Sequence, residues 1–206
     1  MLAFAGAEFE ETMYTMDQPE KWHGQDKKTL PLDFPNLPYI FDGDVKLTQT
    51  NAILRYLGRK FNMAGSNEAE RIRIDLTEQQ VQDYWGNVIK LAYTPTTTPD
   101  DVETFRKTGA AESIASLSKF LGSHQYFSGG SISYVDFKAY EFLFIIKLLA
   151  PEAIEAHANI KEFMKRIEES PRVKAFMQSD RHVPWPITAP FAKWGNSNSN
   201  PELAPK

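Results

Sequence analysis

Every strand-like stretch of this chain lies before residue 50, and the chain after residue 67 repeats with a helical period. No other feature narrows the possible folds as far, because period 2 and period 3.6 belong to different kinds of element. Glu8 to Met16 (EFEETMYTM) alternates well enough to predict a short strand. Residues 17–36 hold Pro19, Pro31 and Pro35 among polar residues and read as loop with one or two turns. Tyr39-Ile40-Phe41 is a short apolar strand, Asp42-Gly43-Asp44 supplies hairpin turn chemistry, and Val45-Lys46-Leu47 alternates as the returning strand. A helix follows, with Thr48 or Thr50 as its cap and Ile53, Leu54, Leu57 and Phe61 at helical spacing.

Asn62 to Asn67 (NMAGSN) is a linker of glycine and small polar residues. Beyond it one helix is expected over 68–93, ended by Pro95 and Pro99, and another over 101–121. Gly129-Gly130 marks a turn, and Ser133-Tyr134-Val135-Asp136 predicts a capping box that opens a buried helix over 134–149. Pro151 and Pro171 stand at first helical positions. The tail after Lys193 is polar and is expected to fray. The fold class expected is an α/β unit over residues 1–61 and an all-α unit over 68–206, without internal repeats.

Composition removes several functions. At 206 residues and 42% hydrophobic, the chain can bury a core of its own. Its 23 basic and 27 acidic residues form no basic half, which argues against a nucleic-acid binder. Cysteine is absent, so disulfides, thiolate metal sites and a cysteine nucleophile are excluded. The histidines His23, His124, His157 and His182 show no paired-ligand spacing, so no metal is expected. The apolar start MLAFAGAEF is too short and wrongly flanked for a signal peptide, and the apolar run Phe142 to Ala150 contains Lys147 and falls short of a membrane span. A cytoplasmic protein without membrane contact is the expectation.

The segment Leu32 to Lys60, LDFPNLPYIFDGDVKLTQTNAILRYLGRK, closely resembles the mu class of cytosolic glutathione transferases. Glu78-Gln79-Gln80 through Tyr93-Thr94-Pro95, Ile132 through Phe137, and Lys193-Trp194-Gly195 extend the resemblance, in order, over essentially the whole chain. The resemblance implies a thioredoxin-like domain fused to a helical domain and a homodimer. It also implies glutathione as co-substrate without a further cofactor, and conjugation of its thiolate to small electrophilic or hydrophobic molecules.

It also implies residue roles. In Asn36-Leu37-Pro38-Tyr39, Pro38 would be cis and the Leu37 backbone would pair with the peptide backbone of glutathione; alone, the motif also fits an ordinary loop-to-strand proline. Gln49 and Thr50 would hold the γ-glutamyl carboxylate where a strand ends and a helix begins, although Thr50 also fits a plain N-cap. Trp22 and Lys27 would hold the glycyl carboxylate, with Lys28 as the alternative to Lys27. Asp83, one turn after Gln79, would reach the partner subunit's glutathione; simple surface charge is the other reading. Tyr93 would assist at the electrophile, or else be a core tyrosine at a helix end. Phe34 would insert into a pocket of the partner, with Arg55, Arg59 and Asp75 along the same interface. The tyrosine with which the family stabilises the thiolate would precede Met1, as would the first strand, so the chain as written is expected to lack both. Tyr14 is not its substitute. A glutathione-transferase-like protein that binds without catalysis is therefore the alternative reading.

Overall fold

A computed structural model describes residues 1–15 and 17–196. The hairpin is built as expected, from β1 (Tyr39–Asp42) and β2 (Val45–Thr48), paired antiparallel from Tyr39 opposite Thr48 to Asp42 opposite Val45. The two loop residues are Gly43 and Asp44, and Gly43 takes φ +59°, the left-handed conformation a tight hairpin turn demands at its first position. Helix α3 (Thr50–Lys60) then folds back on the hairpin, burying Ile53 and Leu57. Tyr56 donates to Asp42 Oδ2 at 2.7 Å and Lys60 pairs with the same carboxylate, which ties the far turn of α3 to the turn of the hairpin.

Three expectations for the first part need correction. Residues 8–15 contain no strand: they run irregularly after the short helix α1 (Leu2–Ala5), and among the described residues the sheet holds only β1 and β2; Met16, the last residue of the expected strand, lies outside the described residues. A groove of about 1130 Å³ separates Ala7–Tyr14 from Leu37–Asp42. Residues 17–36 are not all loop. Lys21–Asp26 forms a π-helical turn continued by α2 (Lys27–Thr29), and its one buried side chain, Trp22, is too little to reveal a period. The cap of α3 is neither Thr48 nor Thr50 but Gln49, which makes no side-chain capping bond.

The helical part follows its expected boundaries closely. Helix α4 spans Glu68–Tyr93, capped by the Asn67 side chain on the Glu70 amide. Helix α5 (Pro99–Thr104) begins two residues earlier than expected, with a Thr98–Asp101 capping box, and passes through a π-helical turn at Phe105–Ala110 into α6 (Ala111–Leu121). Helix α7 (Tyr134–Leu149) is the buried centre and packs against α3, α4, α8 (Pro151–Glu155) and α9 (Ala158–Glu168). Ten of its 16 residues are buried, as a helix that is apolar almost all round requires. Its start is locked by Asp136, whose carboxylate accepts from the Ser133 amide, the Ser133 hydroxyl and the Phe127 amide. Helix α10 (Pro171–Met177) completes the order. The tail is not frayed throughout: Trp194 is only 1% exposed, and its neighbour Lys193 donates to the Ala92 carbonyl. The rest of the expected tail, from residue 197, lies outside the described residues.

Candidate functional site

The end of β2 and the start of α3 form a natural anion cradle. Gln49 sits at φ 70°, ψ 112°, a conformation non-glycine residues seldom adopt. It turns the chain sharply enough for Thr50 to open the helix, and the Ile53 amide already bonds to the Gln49 carbonyl. Because no side chain caps the helix, the amides of its first turn face outward at the positive end of the helix dipole. Gln49 and Thr50 are both exposed there. Strain in a non-glycine residue at such a turn is the kind found at ligand clamps.

The Leu37–Pro38 peptide bond leading into β1 is cis, and the Leu37 amide donates to Asn36 Oδ1 at 2.9 Å. Trp22 is buried. Its indole stacks on Tyr39 with centroids 6.2 Å apart and meets Tyr14 edge-on at 5.2 Å. Lys27 and Lys28 are exposed on α2. Tyr14 Oη lies 2.6 Å from Asp26 Oδ2 and 2.9 Å from Tyr39 Oη; loss of solvation, with those two partners, holds its phenol above the usual tyrosine range.

Helix α4 carries the remaining polar groups. Gln79 Nε2 donates to Asp83 Oδ1 at 2.8 Å, and both residues are exposed. At the end of α4, Tyr93 Oη accepts the Ala189 amide at 3.0 Å and its ring tilts against Phe191. That bond uses the oxygen and leaves the phenolic proton free to donate. Phe34 projects from the loop before β1, 72% exposed. Arg55, Arg59 and Asp75 line one cavity of about 590 Å³ between α3 and α4.

One network was invisible in the sequence. Buried Glu78 of α4 takes both arms of Arg55, at 2.9 and 2.5 Å, and the Tyr134 hydroxyl at 2.6 Å. The hydrogen bond to Glu78 raises the pKa of Arg55, while burial and the same carboxylate raise that of Tyr134. Lys138 of α7, 6% exposed, donates to Asn51 Oδ1, Gln82 Oε1 and the Glu78 carbonyl at 2.7, 2.9 and 3.2 Å. An isolated lysine on an apolar helix gives no sequence signal of such partners, since each comes from a distant segment.

Comparison with known proteins places this geometry. The family profile described as "Glutathione S-transferase, N-terminal domain" matches residues 1–59, and that described as "Glutathione S-transferase, C-terminal domain" matches residues 82–180. The chain is 40% identical over 200 residues to glutathione S-transferase B of Cavia porcellus and, equally, to glutathione S-transferase Mu 1 of Mus musculus, covering 95% of this chain and 91% of each relative. The chain belongs to the glutathione S-transferase family. The crystal structure of the glutathione S-transferase Blo t 8 superposes with a TM-score of 0.84 at 33% identity, covering 95% of this chain and 92% of that one. This glutathione S-transferase groups with the mu class, and its fold is the family's thioredoxin-like N-terminal part, carrying a small antiparallel sheet, followed by a helical C-terminal part. Among the described residues no helix is long and apolar enough to cross a membrane.

Proposed function

We propose that this glutathione S-transferase binds glutathione at the start of α3 and joins its sulfur to small, hydrophobic electrophiles, working as a cytoplasmic homodimer. The uncapped first turn of α3 behind the strained Gln49 carries the reading. A carboxylate there meets free amides, a favourable dipole and the side chains of Gln49 and Thr50. The γ-glutamyl end of glutathione supplies such a carboxylate. Its peptide backbone would run along Asn36-Leu37-Pro38, replacing the Asn36 side chain on the Leu37 amide. Lys27, beside Trp22, would receive the glycyl carboxylate, and Asp83 would serve the partner subunit's glutathione.

In the reaction, the thiolate sulfur attacks the electrophilic carbon. With an activated aryl halide a C–S bond forms, the carbon–halogen bond breaks, halide departs, and the thiol proton passes to solvent. With an enone or epoxide the proton ends on the product, and Tyr93, whose proton is free, is the group to deliver it.

A second reading, glutathione binding without conjugation, is favoured by one observation. A free thiol ionises near pH 8.5, so rapid conjugation at neutral pH needs a donor to the sulfur. Yet Tyr14 is engaged with Asp26 and Tyr39, and Tyr56 donates to Asp42. Immobilised glutathione followed by a conjugation assay with an activated aryl chloride separates the readings. Retention with turnover supports the transferase, retention alone supports the binding protein, and no retention of folded chain overturns both.

A further inference from the structure

Lys138 is hard to explain as part of a helical core. It lies on α7, ten of whose 16 residues are buried, at the three-way junction of α3, α4 and α7. Lysine is among the residues least often buried without a paired charge. Here all three N–H groups of the ammonium are used, and every acceptor is a neutral oxygen: the side-chain amides of Asn51 and Gln82 and the main-chain carbonyl of Glu78. The Glu78 carboxylate is already held by both arms of Arg55 and by Tyr134. Burial lowers the pKa of Lys138; Glu78 and Asp83 oppose that shift and Arg55 adds to it. A clamp between helices needs no charge, and apolar side chains would hold such a junction at least as well.

What distinguishes this position is where the hydrogen bonds lead. Asn51 is the second residue of α3, directly after Thr50 and two residues after the strained Gln49. Its amide group is gripped from both sides: Oδ1 accepts from Lys138, and Nδ2 donates to Gln82 Oε1 at 3.3 Å. The first turn of α3 is thereby pinned to α4 and α7, and a positive charge stands behind its outward-facing amides. Being buried, that charge is little screened by salt. It adds to the helix dipole with the same sign.

We infer that Lys138 is a positioning residue for the γ-glutamyl carboxylate, fixing the first turn of α3 through Asn51 and reinforcing its positive potential from behind. This rests on the glutathione reading of that turn. Lys138 does not touch the ligand; it acts through Asn51 and through the field.

The test pairs two ligands with two variants of the full chain. Calorimetric titration with glutathione is compared with 4-aminobutanoyl-cysteinyl-glycine, which lacks only the γ-glutamyl α-carboxylate. Lys138→Met removes the charge and the clamp while keeping a long flexible stem. Lys138→Gln removes the charge, keeps a hydrogen-bonding end, and carries the test should the methionine variant fail to fold. The expected result is a Kd for glutathione raised about tenfold, with the Kd of the analogue changed less than about twofold, since an electrostatic effect at a helix N-terminus acts on the anion alone. Equal weakening of both ligands would reduce Lys138 to a structural clamp and overturn the inference, as would unchanged binding in a folded variant. If the wild-type chain binds neither ligand, the glutathione reading itself falls, a result distinct from either of those.

Discussion

Asp136 shows how a single carboxyl can be caught between two demands. Three donors point at it, and each favours the ionised form, yet it is fully buried and desolvation favours the acid. Burial dominates and carries its pKa from 3.8 up to about 6. With the folded value above the unfolded one, the stability gained is complete below pH 4 and is lost as pH rises through about 6. Asp136→Asn has no such titration. Its cost of about 1–3 kcal/mol comes from the acceptor it loses to Ser133. The gap between the urea midpoints of wild type and Asp136→Asn should therefore shrink from pH 4 to pH 7. A gap that widens would mean that the ionised form is the one this site prefers.

At the scale of elements, the contact between α3 and α7 governs how the hairpin unit meets the helical one. Gly58 makes that contact possible, since a Cβ there would come within 2.6 Å of Tyr134 Cδ1. Tyr134 cannot simply retreat, because its hydroxyl is bonded to Glu78 and the ring is buried. Alanine at position 58 gains about 1 kcal/mol of helix propensity but overpacks a tight contact at about 1–3 kcal/mol, so Gly58→Ala is expected to destabilise. Gly86 on α4 is the control: nothing lies within 4 Å of an added Cβ, and Gly86→Ala should stabilise by up to about 1 kcal/mol. Thermal melts of both variants check the pair, and equal shifts would refute the role given to Gly58.

For the whole molecule, exposed apolar groups argue for a second copy. Phe34, Ile72 and Leu76 are all more than half exposed, and the latter two stand one turn apart on α4. Close by, the cavity lined by Arg55, Arg59 and Asp75 is of a size to take an aromatic side chain. The proposed homodimer would bury these groups. Sedimentation velocity should give a dimer for the wild-type chain and a monomer for Phe34→Asp, with the helical circular dichroism signal retained. A dimer that survives the substitution would remove Phe34 from the interface.

Local physics made much of this legible from the residues alone. The hairpin followed from apolar runs around Asp42-Gly43-Asp44, helix α4 from the linker before it and the prolines after it, and α7 from the Ser133–Asp136 box, because turn chemistry and capping act over a few residues. The resemblance carried by Leu32–Lys60 pointed to the family. What the tertiary structure decided is whatever needs a distant partner. Residues 8–15 alternate like a strand yet form none, since a ladder requires a neighbour. Gln49, not a threonine, became the helix cap because the hairpin and α3 must meet at a sharp angle. Trp194 left a polar tail for the core. Lys138 met Asn51 across 87 residues of sequence, and only the packing of three helices could turn an ordinary lysine into a buried charge behind a helix N-terminus.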